Sequence, residues 1–202
     1  MGRPLADPEL DRRIVMAVFE LVAQHGVDGL GMRQLAAATG LSTGTLNYRF
    51  GNKRGLLDAA IDYAYQRPRD LEEHTASTRA TLERLLRRYL LRDKKVRVWW
   101  RFYCALVAHA PTDRALARRL TQRRRALVTF FADVLETGIA RRELALEAPT
   151  ACAERLVAIA HGAALSQLVD PSEAVLHASE QLLAAEVARI CESRTTVQLS
   201  GA

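Results

Sequence analysis

Aromatic side chains are scarce, at 6% of the 202 residues, whereas alanine and leucine are abundant. That balance argues against a strand-built protein and favours helices. Cysteine is equally sparse. Cys104, Cys152 and Cys191 are odd in number and far apart, with no CxxC and no histidine pair at metal-ligand spacing. A disulfide framework and a metal centre are thereby excluded, and free thiols in a cytoplasmic protein are expected. No apolar run reaches the roughly 18 residues of a membrane span. The opening text MGRPLADPELDRR lacks the apolar core of a secretion signal, and Pro4, Leu5 and Ala6 after Met1-Gly2 do not complete a myristoylation pattern. Catalytic equipment is missing too. Ser42 and Ser166 have no His/Asp partner in sequence context, and no glycine loop suited to phosphate appears. The expectation is a protein that is not an enzyme and needs no cofactor or metal.

What is present is a 49% apolar content, enough for a sizeable core, and a net charge of +6 with a pI near 9.6. The charge permits a polyanionic partner without identifying one. Residues 1–55 hold Arg3, Arg12, Arg13, Arg33, Arg49, Lys53 and Arg54 against Asp7, Glu9, Asp11, Glu20 and Asp28, an excess of two. The denser basic tracts, Arg84–Arg101 and Arg118–Arg125, come later, and the second is most simply a solvated helix face.

The stretch Gly31 to Lys53, GMRQLAAATGLSTGTLNYRFGNK, organises the rest. It predicts a helix over Met32–Thr39, a turn at Gly40, where the left-handed region costs glycine least, and a helix over about Thr43–Phe50 capped by Ser42 or Thr43. So short a helix must be held by Leu46 and Phe50. Ala36, four before Gly40, allows close approach, and Leu46 plugs the gap. This is helix-turn-helix spacing. Its second helix would offer Thr43, Gly44, Thr45, Asn47 and Tyr48 to a major groove. A structural hairpin in any all-α protein has the same glycine and alanine offsets. The polar second helix and Lys53 favour DNA. Lys53 opens the next helix, where a cation opposes the dipole, so an external phosphate is expected there. Gly2-Arg3-Pro4 is a short basic arm of the kind that lies in a minor groove.

Elsewhere the pattern is helical throughout, with about nine helices and no strand candidate. Asp7-Pro8 opens the first helix and His25-Gly26 closes it. Asn52 caps a helix carrying Leu56, Leu57, Ala60 and Ile61, which Pro68 interrupts. Further helices are expected over Thr81–Leu91, Val96–Ala110, about 113–140, 151–168 and 172–190. The expected organisation is a DNA-binding domain at 1–55, a connecting helix and boundary at 56–78, an effector-binding and dimerisation domain at 79–192, and a disordered tail at 193–202.

These residues resemble the TetR (tetracycline-repressor-like) family of transcription regulators. Leu35, Ala36, Gly40, Ser42, Gly44, Leu46, Phe50, Lys53 and Leu56 fall on its pattern. The chain departs where the family's aromatic after Leu46 is Asn47, so Tyr48 is expected to supply that contact. The resemblance implies base or phosphate contacts from Arg33, Thr43, Gly44, Thr45, Asn47 and Tyr48, and backbone contacts from Arg49 and Lys53. More weakly, Trp99–Tyr103, the arginine-rich helix and Ala160-His161-Gly162-Ala163 are similar to the C-terminal domain of the BetI-like branch. Together these readings imply a homodimeric repressor, released from a palindromic double-stranded operator by a small-molecule effector.

Trp99, Phe102, Tyr103, Phe130 and His161 are the candidate effector residues. Aromatic walls suit a cation, although core packing is the plainer role for most of them. Leu156, Ala160, Ala164, Leu168, Val175, Ala178 and Leu182 either complete the core or form a dimer seam. The resemblance implies a four-helix seam there, and a palindrome requires a two-fold. The competing reading is a small-molecule-binding or enzymatic helical bundle whose N-terminal hairpin is only scaffold.

Overall fold

The computed structural model describes residues 7–64 and 77–198, with side chains described to residue 192. Among these residues there are nine α-helices and no strand. They are α1 Pro8–His25, α2 Met32–Thr39, α3 Thr43–Phe50, α4 Lys53–Ala64, α5 Thr78–Leu86, α6 Lys94–His109, α7 Arg114–Ala140, α8 Pro149–Val169 and α9 Glu173–Gln198. Two 3₁₀ turns, Arg87–Tyr89 and Ala110–Thr112, follow α5 and α6. The expected Thr81–Leu91 helix is thus shorter and tightens at its end, while the last helix runs past its expected end near Ile190. The arm at Arg3, the interruption at Pro68 and the tail beyond Gln198 lie outside the described residues.

The chain forms two compact units, each discontinuous in sequence. The first comprises Met1–Pro68 and Val98–Ala117, the second Arg69–Arg97 and Arg118–Ala202. This division differs from the one expected. Leu56, Leu57, Ala60 and Ile61 of α4 are buried, and α4 packs on α1, so α4 falls in the first unit. Most of α6 belongs there as well: Phe102 packs on Phe19 of α1 with ring centroids 4.5 Å apart and the rings tilted by 40°.

In the first unit α1 starts as the sequence requires. The Asp7 carboxylate accepts from the Leu10 N–H at 3.1 Å and Pro8 occupies the first turn. Ile14, Val15, Val18, Phe19 and Val22 form its buried stripe, and Gly26, at φ 73°, ends it. The stripe repeats at three- and four-residue spacing, so one face of α1 supports α2 and α4.

In the second unit Leu82, Leu85, Phe131, Leu135, Ala153, Leu156, Val157, Ala160, Val187 and Ile190 share one core. Gln167 is buried within it and fully bonded. Its Oε1 accepts from the Leu91 N–H at 2.8 Å, and its Nε2 donates to the Tyr89 and Ala163 carbonyls at 3.1 and 2.9 Å. One α8 side chain thereby satisfies the irregular backbone between the Arg87–Tyr89 turn and α6. Several expected seam positions need correcting here. Leu156, Ala160 and Ala164 are wholly buried inside their own unit, so they serve as core and have no area left for a partner. Leu168 and Val175 are half-buried, whereas Ala178 and Leu182 are exposed. The large apolar residues turned outward on α8 and α9 are Leu165, Val169 (87% exposed) and, from the expected set, Leu182.

Candidate nucleic-acid interface

The turn between α2 and α3 is closed by backbone bonds around a left-handed residue, the conformation that glycine adopts at least cost. Gly40 sits at φ 70°, ψ 19° and donates to the Ala36 carbonyl, which also accepts from the Leu41 N–H at 3.1 Å. The Thr39 hydroxyl donates to the Leu35 carbonyl at 2.7 Å, so the last turn of α2 is closed from both sides. Ser42 then caps α3: its Oγ accepts from the Thr45 N–H at 3.0 Å and lies 2.9 Å from Thr45 Oγ1. Leu35 and Leu46 are completely buried between the helices and α1. Gly51, at φ 79°, ends α3 and donates to the Asn47 carbonyl at 2.8 Å.

This packing decides what α3 presents. Leu46 points inward and Phe50 is half-buried, while Thr43, Gly44, Asn47 and Tyr48 face outward, Tyr48 at 62% exposure. Thr45 is half-buried and its hydroxyl is held by Ser42. Arg33 is exposed on α2, with no acidic partner among the described residues.

Two residues expected on phosphates have partners within the chain, Arg49 through two of its nitrogens and Lys53 through one of its three N–H donors. Arg49 is turned back to α1, where its Nε and one terminal nitrogen donate to Asp11 Oδ1 at 3.0 and 2.7 Å. The Lys53 Nζ donates to the Asp28 carbonyl at 3.0 Å. The start of α4 is capped by Asn52, whose Oδ1 accepts from the Gly55 N–H at 3.0 Å. A lysine in that first turn therefore has a partner within the chain.

Three pairings around the site have no signal in the sequence. Asp11 holds Arg49. Asp28 offers Lys53 its carbonyl and has its carboxylate 3.7 Å from His109. Arg54 donates to Asp113 Oδ2 at 2.6 Å. The Asp113 carboxyl is held below the usual carboxylate range, first by the Leu116 N–H and then by Arg54, against the effect of burial. None of these pairs is close in sequence, and no local pattern signals them.

The candidate effector residues fall into both units. Phe102 is buried and packs against Phe19 in the first unit. Trp99 and Tyr103, in the first unit, are half-buried and stack in parallel with ring centroids 5.7 Å apart. In the second, Phe130 packs at the edge of the core and His161 lies beside Tyr89, ring centroids 5.7 Å apart. Burial, and then the charge of Arg124, lower the His161 pKa to about 4, so its ring is neutral at physiological pH.

A capped recognition helix set by a glycine turn against a second short helix, joined to a larger helical bundle, defines a DNA-binding regulator of the helix-turn-helix class. Comparison with known proteins specifies the family. Residues 14–60 match the family model "Bacterial regulatory proteins, tetR family", and residues 78–192 match "BetI-type transcriptional repressor, C-terminal". The second match alone spans more than half of the chain, and the chain belongs to the TetR family of transcriptional regulators.

Solved structures agree. A Rhodococcus sp. protein assigned to the TetR-family regulators superposes with a TM-score of 0.81 at 26% identity, covering 91% of this chain and 98% of that one. A TetR transcription regulator from Haloarcula marismortui shares the fold, with a TM-score of 0.76 at 20% identity over 90% of this chain and 98% of its own. A protein from Saccharomonospora viridis assigned as a transcriptional regulator, solved in complex with choline, shares it equally, at 0.76 and 20% identity over 89% and 96%. Among curated proteins none matches. No helix of the described residues is long and apolar enough to cross a membrane.

Proposed function

We propose that the protein is a homodimeric repressor, released from a palindromic operator by a small molecule bound in its C-terminal helices. One observation carries the DNA-reading part of the proposal. The outward face of α3 holds only small or hydrogen-bonding groups, Thr43, Gly44, Asn47 and exposed Tyr48, while Leu46, its one aliphatic side chain, turns inward. Asn47 and Tyr48 read base edges or thymine methyls in the major groove. Arg33 and the amine of Lys53 contact phosphate, and Arg3 is the candidate for an arm contact.

The dimer reading rests on α8 and α9. Leu165, Val169 and Leu182 are exposed apolar side chains, and Ala178 is exposed nearby in sequence. A two-fold seam on this face would cover them. For the effector, the stacked Trp99 and Tyr103 favour a cation over an aromatic face. Choline, which the Saccharomonospora protein holds, is therefore the first compound for a thermal-shift panel.

The test is a duplex selected from a random pool by the wild-type protein, with binding followed by fluorescence anisotropy at several salt concentrations. Sequence-dependent binding that falls with salt is expected. Loss of binding in Tyr48→Ala combined with Lys53→Ala supports the assignment; unchanged affinity refutes it. Leu182→Glu is expected to convert a dimer to a monomer in sedimentation.

A further inference from the structure

We propose that Asp11 is a positioning residue for DNA recognition, and that Arg49 serves it as an inward clamp on the recognition helix instead of contacting phosphate. The inference rests on the reading of α3 as the recognition helix.

At about 100° per residue, Arg49 lies roughly 60° around the helix from the plug Leu46, on the side facing the protein. Its side chain is 13% exposed against 39% for Asp11. Two guanidinium nitrogens already bond one carboxylate oxygen, at 3.0 and 2.7 Å. To reach a phosphate, Arg49 would have to give up two charge-assisted bonds and leave Asp11 behind.

The mechanical need is plain. An eight-residue helix has no stability of its own, and Leu46 is its only fully buried side chain. Leu46 and the half-buried Phe50 one turn later resist translation, but two adjoining apolar contacts on one side of so short a helix hold its roll only weakly. Arg49 supplies a directional tie three residues beyond the plug, towards the C-terminal end, and fixes the roll. Arg13, also on α1, donates to the Thr39 carbonyl at 3.4 Å, at the end of α2. The first half of α1 thus brackets both helices of the motif. A roll of α3 would carry Asn47 and Tyr48 away from base edges, whose readout requires bidentate or close apolar geometry.

The experiment uses the full chain, the wild-type-selected duplex and a random duplex. The variants are Asp11→Asn, Arg49→Gln and the swap Asp11→Arg with Arg49→Asp. If Asp11 were a bystander beside DNA, removing its negative charge would strengthen binding. The clamp requires the opposite: Asp11→Asn weakens specific binding at least tenfold and leaves the random duplex unaffected. Arg49→Gln should do the same with an unchanged salt slope, and the swap should recover part of the specificity. A slope smaller by about 0.9 in Arg49→Gln is the mark of a lost phosphate contact and would overturn the proposal. So would Asp11→Asn binding as tightly as wild type or tighter. Circular dichroism and thermal melts confirm that each variant is folded; should Asp11→Asn fail to fold, Arg49→Gln decides through its slope. If the wild type selects no duplex, the reading of α3 itself falls. If it selects one that Asp11→Asn binds equally well, only the clamp does.

Discussion

Replacing Gly44 by alanine should separate what the fold requires from what DNA requires. Gly44 is the second residue of α3 and is exposed. A Cβ built there meets only Ser42 Oγ, at 3.5 Å, an ordinary van der Waals contact. The protein's own packing therefore gives no reason for glycine, and alanine should stabilise the helix by up to about 0.5–1 kcal/mol. For a chain of this size that is a rise in Tm of roughly 1–4 °C. DNA gives the opposite result. The Thr45 N–H is taken by Ser42 Oγ and the Leu46 N–H by the Ser42 carbonyl, at 3.0 and 3.2 Å. The Thr43 and Gly44 N–H groups precede the first intrahelical bond and are available to a phosphate. A methyl at residue 44 keeps that phosphate at a distance. Losing one charge-assisted hydrogen bond costs about 1.5–3 kcal/mol, or roughly ten- to a hundredfold in Kd. Differential scanning fluorimetry and anisotropy on the selected duplex read the two effects on one sample. Unchanged DNA affinity would show that the backbone at Gly44 does not approach DNA, and a lower Tm would show that the space beside it is not open.

Gln167→Leu removes the partners of the Leu91 N–H and the Tyr89 carbonyl, and unfolding in urea should show a loss of about 2–6 kcal/mol, since each buried unsatisfied group costs about 1–3. Gly138→Ala puts a Cβ 2.5 Å from Thr78 Oγ1 and 2.9 Å from both Thr78 Cγ2 and Leu144 Cδ1; overpacking of about 1–3 kcal/mol should lower the Tm, by less when measured in a Thr78→Ala background. His161 has a folded pKa of about 4 against 6.5 for an ordinary histidine, so its contribution is complete above pH 6.5 and is lost as pH falls towards 4. The loss is on the order of 3 kcal/mol at about 1.4 kcal/mol per pKa unit, and a His161→Gln variant should show a shallower fall in Tm between pH 7 and 4.5.

Much of the molecule could be read without coordinates because it is local. The α3 cap at Ser42, the turn at Gly40, the α1 start at Asp7-Pro8 and the stop at Gly26 each follow from residues within four positions of one another. Helix type and order follow from apolar spacing, and the inward Leu46 and outward Tyr48 from helical phase. Where expectation and structure part, the reason is contact between distant segments. The Val96–Ala110 aromatic run looked uniform, yet the first unit buries Phe102 on Phe19 and leaves Trp99 and Tyr103 half-exposed. Ala160 and Ala164 looked like a seam of small residues, and the second unit uses them as core.

The sequence by itself therefore determined that this is an all-helical chain headed by a helix-turn-helix, and that Thr43, Gly44, Asn47 and Tyr48 of α3 face out, whereas Thr45, expected with them, is half-buried with its hydroxyl against Ser42. Only the tertiary structure decided what the charged residues around that helix do. Asp11 and Arg49 are 38 positions apart, Arg54 and Asp113 are 59, and Lys53 meets a backbone carbonyl 25 positions before it. A charge carries no record in the sequence of whether water, phosphate or a folded-back carboxylate will meet it. That is settled by which side chains the packed helices bring within hydrogen-bond reach.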